Sequence, residues 1–284
     1  MSLRINTNVA SLNAYNNLSK NQNDLNSSFE KLSSGLRINK AADDAAGLSI
    51  AQGLTSQING LTQAVSNAQD GINVAQIADG ALGTVQNILQ RMRTLVVQAG
   101  NSGTQDSDSV TAIQDEVKNL NTELDAISKQ TKFGQTNLLD SSYTSTVGTF
   151  QVGANNGDTL HLDLSQAAVD SATLGTSGLN IVTSTNGAYS NDNAGSDLDT
   201  LDTAITNVSS ERSKIGAVQN QLSYTVTNLQ TGITNVTASR SNLTDADLAT
   251  EVSKMSQSQI LMQASTSVLA QANSAPQAIL KLLQ

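Results

Sequence analysis

A chain of 284 residues with three Phe, four Tyr, no Trp and one Pro must build its core from Leu, Ile, Val and Ala, which suits long helices packed side by side. Its formal charge of −9 lies wholly between residues 45 and 244, because residues 1–44 carry five Lys/Arg against four Asp/Glu and residues 245–284 carry two against three. An acidic middle argues against nucleic acid as a partner, since phosphate binding needs clustered Lys/Arg, and a chain without Cys holds no disulfide staple.

The first seventeen residues, MSLRINTNVASLNAYNN, contain no apolar core of the length a cleaved secretory signal needs. No apolar run long enough to span a bilayer occurs either, so no membrane insertion is expected. Val9, Leu12, Leu18, Leu25, Phe29 and Leu32 then sit at helical spacing and predict an N-terminal helix. Asp43 and Asp44, between Gly35 and Gly47, read as a link into the next helix, with Asp favourable at a helix start. Nothing supports them as a catalytic pair.

Leu54, Leu61, Ala68, Ala75, Leu82, Leu89 and Val96 recur every seven residues, with Ile58, Val65 and Ile72 in a second row. At 1.5 Å per residue this helix runs for about 60 Å. A polar turn, Ala99 to Ser109, precedes a shorter helix carrying Ile113, Val117, Leu120, Leu124 and Ile127. From Phe133 the period changes. Phe150 and Val152, the turn GANNGD, and Leu160, Leu162 and Leu164 predict a β-hairpin. The Gly/Ser/Thr/Asn-rich stretch TSGLNIVTSTNGAYSNDNAGSD after it reads as exposed loop with weak strand content.

The clearest repeat comes next: Leu201, Val208, Ile215, Leu222, Leu229, Val236 and Leu243, seven apart without a miss, as in a helix of a coiled coil. Two long helices and one short one, able to bury a shared stripe only against each other, make a three-helix bundle. In the last segment Leu248, Met255, Met262 and Leu269 form one row, and Leu261, Val268 and Leu282 a second row displaced by one residue. Adjacent helical residues lie about 100° apart, so one partner helix cannot cover both rows. That points to polymerisation. Ordering roughly 33 residues at each end costs about 1–2 kcal/mol per residue, so both ends are expected to be disordered in the monomer and helical after assembly. Pro276 is expected to bend or interrupt the last helix.

The fold class is therefore mainly α: a long coiled-coil helical bundle with paired terminal helices and a small β-hairpin region. The expected domains are a terminal-helix pair, 1–44 and 245–284, a helical-bundle core, 45–132 and 197–244, and a hairpin with a variable exposed loop region, 133–196. Residues expected to carry polymerisation are Val9, Leu12, Leu18, Leu25, Phe29 and Leu32 at one end, with Val252, Met255, Leu261, Met262, Val268, Leu269 and Leu282 at the other. His161 is the only histidine and no HExxH motif occurs, so no metal, cofactor or catalytic site is expected.

The segments RINTNVASLNA (4–14), KLSSGLRINKAADDAAGLSIA (31–51), IGAVQNQL (215–222), ATEVSKMSQSQIL (249–261) and SVLAQANSAPQAILKLL (267–283) give the chain a close resemblance to bacterial flagellin at both ends, roughly 1–140 and 197–284. The resemblance implies an extracellular filament of many copies, with the terminal helices lining a central channel and the bundle forming the outer tube. It implies export through the flagellar type III apparatus, unfolded and with no cleaved signal. Implied partners are an export chaperone on the C-terminal helix, a filament cap protein and hook-junction proteins. About 55 residues between the helices make this a minimal type without large outer domains, and a hook–filament junction protein is the alternative. The segment QRMRTLVVQ (90–98) is similar to the helix that the vertebrate flagellin-sensing Toll-like receptor contacts, which implies Arg91, Leu95 and Glu116 as receptor contacts; Thr94 stands where many stimulatory members carry an acidic residue.

Overall fold

The computed structural model describes residues 7–101, 103–144, 148–181, 183–185, 188–190 and 193–282; of these, 183–185, 188–190 and 276–282 are described by backbone alone. Its helices are α1 (Val9–Ser34), α2 (Ala45–Ala99), α3 (Ser107–Gln130), α4 (Ala194–Thr244) and α5 (Leu248–Leu282). Between α3 and α4 lie three antiparallel strand pairs: β1 (Lys132–Phe133) with β2 (Thr136–Asn137), β3 (Thr149–Gln151) with β4 (Thr159–His161), and β5 (Thr183–Thr185) with β6 (Ala188–Ser190).

Short polar side chains set the helix starts. Asn8 caps α1 by accepting from Ser11 N–H at 3.1 Å, Asp106 caps α3 by accepting from Ser109 N–H at 2.8 Å, and Asp44 accepts from Gly47 N–H at 2.9 Å ahead of α2. Asp43 accepts from the Asn39 and Lys40 N–H groups, which close the turn before it and hold its carboxyl below the ordinary value. Gly35, in the left-handed region at φ 73°, ends α1. The last helix runs through Pro276 without interruption.

The chain folds as two compact units, one made of residues 1–58 and 234–284 and the other of residues 59–233. In the second unit the seven-residue rows meet. Ala68, Ala75, Leu82, Leu89 and Val96 of α2 are fully buried, and Leu201, Val208, Ile215, Leu222 and Leu229 of α4 are buried along their length. Val110, Val117 and Leu124 of α3 complete the core. Between Ala68 and Ala75, a Cβ built on Gly71 would lie 3.1 Å from Leu222 Cδ1 and 3.3 Å from Phe150 Cγ.

The hairpin forms with Phe150 opposite Leu160, as the alternation predicts. Its strands are shorter than the alternating run. The paired residues run from Thr149–His161 to Gln151–Thr159, beyond which Val152 N–H donates to Asp158 O at 2.8 Å at the turn. Leu160, Leu162 and Leu164 all point inward. The expectation of an exposed loop after the hairpin is corrected over residues 176–181. Leu179 and Ile181 are buried, alternating inward against α3, whose side chains satisfy the loop backbone. Gln114 accepts from Ile181 N–H at 2.7 Å and donates to Leu179 O at 3.3 Å; Asn121 donates to Thr176 O at 3.0 Å; Asp125 accepts from Ser171 N–H at 2.8 Å. Buried backbone needs such partners, and a polar-looking loop becomes core once a helix supplies them.

Candidate assembly surface

The first unit is built on α1 packed along α5. The chain crossing is fixed by a small backbone clamp: Arg37 N–H donates to Thr244 O at 2.7 Å, Ala246 N–H donates to Gly35 O at 2.9 Å, and the Arg37 guanidinium donates to Leu243 O at 2.7 Å. Asp247 caps α5 by accepting from Ala249 N–H and Thr250 N–H, and hydrogen bonds from Thr250 keep its carboxyl below the usual range.

The seam between α1 and α5 uses one side of each helix. On α1, Ala14 and Leu25 are buried and Leu18 and Leu32 half-buried; on α5, Met255, Met262 and Leu269 are half-buried at seven-residue spacing. Polar contacts punctuate it. Asn8 donates to Ala272 O at 2.7 Å, Ser11 to Asn273 Oδ1 at 2.8 Å and Asn21 to Ser265 Oγ at 2.9 Å. Deepest in the seam, buried Ser28 donates to the buried carboxylate of Glu251 at 2.9 Å, and Lys254 pairs with it at 3.2 Å. Burial pushes the Glu251 carboxyl up, but the Ser28 hydrogen bond and Lys254 outweigh it and leave the group below its ordinary value.

The other apolar row of each helix has no cover among the described residues. Val9, Leu12, Tyr15 and Phe29 of α1 are each more than half exposed, and so are Ile260 and Val268 of α5, with Val252 and Leu261 close behind at 45% and 43%; Leu248, at the start of the seam row, is 53% exposed as well. Single exposed apolar residues are ordinary, whereas rows of them along two paired helices mark an interaction surface. The residues expected to carry polymerisation thus divide. Leu18, Leu25, Leu32, Met255, Met262 and Leu269 lie on the seam side, while Val9, Leu12, Phe29, Val252, Leu261 and Val268 lie outside; the Leu282 side chain is outside the described residues. Tyr15 and Ile260 belong to the exposed set and were not singled out by spacing, although Ile260 adjoins Leu261. The Ser28–Glu251 contact spans 223 positions of sequence and no local pattern announces it.

In the second unit, Arg91, exposed, and Glu116, half-buried, stand on neighbouring helices and are joined by an ion pair of 2.7 Å. Leu95 departs from the receptor-contact expectation. It is 1% exposed and lies in the bundle core with Met92 and Val96, so it presents no surface. His161 is exposed at the end of β4, with its Nδ1 2.9 Å from Thr149 Oγ1. Among the described residues, no group of three or more His, Cys, Asp or Glu is placed to hold a metal ion, and no helix is long and apolar enough to cross a membrane.

The comparisons with known proteins agree with both ends of the chain. Residues 5–144 match the bacterial flagellin N-terminal helical region, and residues 198–283 match the bacterial flagellin C-terminal helical region. The chain is 42% identical to a flagellin of Bacillus subtilis, with 99% of this chain and 100% of that protein aligned. It is also 42% identical to a flagellin of Halalkalibacterium halodurans, with 99% of each covered, and 34% identical to flagellin B of Vibrio anguillarum over the whole of both. Among solved structures, it is similar to a Bacillus cereus flagellin at 30% identity and a TM-score of 0.47, covering 58% of this chain and 88% of that one.

Proposed function

This chain belongs to the bacterial flagellin family, structural proteins that self-assemble into the flagellar filament and are not enzymes, and on that premise we propose how its surfaces divide the work of assembly. The seam side of α1 and α5 holds the two termini of one subunit together. The uncovered rows, Val9, Leu12, Tyr15 and Phe29 with Val252, Ile260, Leu261 and Val268, are covered by the terminal helices of neighbouring subunits. The observation that carries this reading is that α1 hides only one of the two apolar rows of α5. Terminal helices with that much apolar surface in water belong to the assembled subunit, and the free subunit loses them to disorder because entropy costs about 1–2 kcal/mol per residue.

The same uncovered surface fits the remaining steps of the subunit's life outside the filament. The chain travels unfolded through the flagellar type III apparatus to an extracellular filament, with a chaperone covering the C-terminal helix beforehand. A cap protein folds it at the tip, and junction proteins receive the first subunits. At the vertebrate receptor for flagellin, the contact surface is Arg91 with Glu116, supported by side chains 53% and 42% exposed, while Leu95 acts only by holding α2 in place.

Negative-stain microscopy of the purified chain added to filament seeds tests the assembly reading. Long extensions from the seeds are expected. Chains that cap the seeds without elongating them would instead favour a hook–filament junction role, and chains that ignore the seeds would overturn both.

A further inference from the structure

The dipeptide Asn-Gly occurs at 59–60, 156–157 and 186–187, and the third pair lies outside the described residues. The other two place the same chemistry in opposite settings. Asn59 and Gly60 sit inside α2, where the Gly60 N–H is tied to the helix ladder like every interior helical amide. Asn156 and Gly157 form the middle of the exposed hairpin turn between β3 and β4. The base of that turn is held by Val152 N–H on Asp158 O at 2.8 Å and by Gln151 Nε2 on Asn155 O at 2.7 Å, whereas across its tip Asp158 N–H reaches Asn155 O only at a long 3.4 Å. Gly157 has φ 91°, and a Cβ built on it would meet nothing within 4 Å. No hydrogen bond to a described residue holds its N–H, whereas the amides around it are committed: Asn155 N–H to Asp158 Oδ2 at 3.1 Å and Thr159 N–H to Gly157 O at 2.8 Å.

We propose that Asn156 is a site of spontaneous deamidation, a self-modification of the hairpin tip that the helix denies to Asn59. The Gly157 amide nitrogen, after losing its proton to solvent base, attacks Asn156 Cγ. The new N–Cγ bond closes a five-membered succinimide as the Cγ–Nδ2 bond breaks, and Nδ2 leaves as ammonia with a proton from solvent. Water then opens the ring at either carbonyl, giving Asp or isoaspartate at 156. No redox change occurs, and water is the only co-reactant. Glycine is needed at 157 because a side chain there would crowd the attacking nitrogen, and mobility is needed because the turn must bring that nitrogen onto Cγ.

The product matters to the surface around it. A carboxylate at 156 stands two residues from Asp158, whose side chain already organises the turn through Asn155. Isoaspartate adds one backbone carbon between Gln151 and Thr159, the last paired residues of the hairpin. The tip rests against α2 with Ala154 at Gly60 and with Asn67 donating to Gln151 O at 3.0 Å, so the modification puts a charge beside neutral amides. An aged population of this chain therefore carries a more acidic hairpin than a fresh one.

Incubating the full chain at mildly alkaline pH, then mapping peptides by mass and scoring isoaspartate enzymatically, tests this. Asp and isoaspartate should accumulate at 156 at least about tenfold faster than at 59, because Asn59 reacts only when the helix opens locally. In denaturant the two rates should converge, and an Asn156→Gln chain should stay unmodified at that position while retaining the native helix signal. Native-state rates at 156 and 59 that agree within about twofold, or an amide at 156 that survives natively while the denatured chain converts, would overturn the proposal.

Discussion

Replacing Leu261 and Val268 by Ala separates assembly from folding. Leu→Ala removes three carbons and Val→Ala two, worth about 4 kcal/mol together if all were buried, at about 0.8 kcal/mol each. In the single chain Leu261 is 43% exposed and Val268 57%, so about half of that burial is still to be gained and falls to the subunit contacts. The double variant should therefore lose about 2 kcal/mol of assembly free energy per subunit, a rise of roughly thirtyfold in the critical concentration. Sedimentation of seeded filaments across a concentration series measures it. Free-subunit circular dichroism and thermal midpoint serve as the folding control and should change little, because the bundle of residues 59–233 is untouched. A critical concentration within about twofold of the parent would refute the argument that neighbours cover this row.

Four further outcomes follow from the same geometry. Circular dichroism of free and polymerised protein should differ by the helix of α1 and α5, 26 and 35 residues long, and equal helix content in the two states would count against ordering on assembly. Glu251 titrates below its ordinary value, so the stability it lends the seam is complete above the unfolded glutamate range, about pH 4.3, and is lost as pH falls through the lower folded value. Filament melting for Glu251→Gln should accordingly be flatter between about pH 5 and pH 3 than for the parent. Gly71→Ala puts a Cβ 3.1 Å from Leu222 Cδ1 and 3.3 Å from Phe150 Cγ and should cost about 1–3 kcal/mol in urea titration, while Gly80→Ala, with nothing within 4 Å on the same helix, should gain about 0.5–1 kcal/mol. Arg91→Ala breaks an exposed ion pair, costing at most about 1 kcal/mol of stability, and should nonetheless reduce signalling in a receptor reporter cell; unchanged signalling would reject the contact.

The long helices are legible from spacing because a buried stripe leaves a period. Leu201 to Leu229 and Ala68 to Val96 repeat every seven residues and are buried as a row. The double apolar stripe on α5 is readable for the same reason, since displacement by one residue is a rotation that no single neighbour can cover. Leu95 shows the limit. Its position four after Arg91 puts both on one side of α2, but the buried arc of that helix is wide enough to take in Met92, Leu95 and Val96 together, and only the cover from other elements decides which edge is wet. Leu179 and Ile181 fail for a related cause. A Gly/Ser/Thr-rich stretch carries no period of its own, and its burial depends on Gln114 and Asn121 arriving from a helix more than fifty positions earlier.

The two ends of this chain pair through a weak seam, and that weakness fits the proposed ordering on assembly. Their charges cancel and their seam is filled with Ser, Asn, Ala and Met rather than a continuous run of large apolar groups. A stronger seam, with Leu in place of Ser28 and Glu251, would hold α1 on α5 in the free subunit. It would also remove the buried polar contact that, with those of Asn8, Ser11 and Asn21, sets how far α1 slides along α5, since apolar rows repeating every seven residues tolerate a slip of one repeat and matched polar pairs do not. On the proposed assembly, a seam registered by a few polar contacts gains its stability when neighbouring copies bury the outer rows. Assembly and order are then one transition.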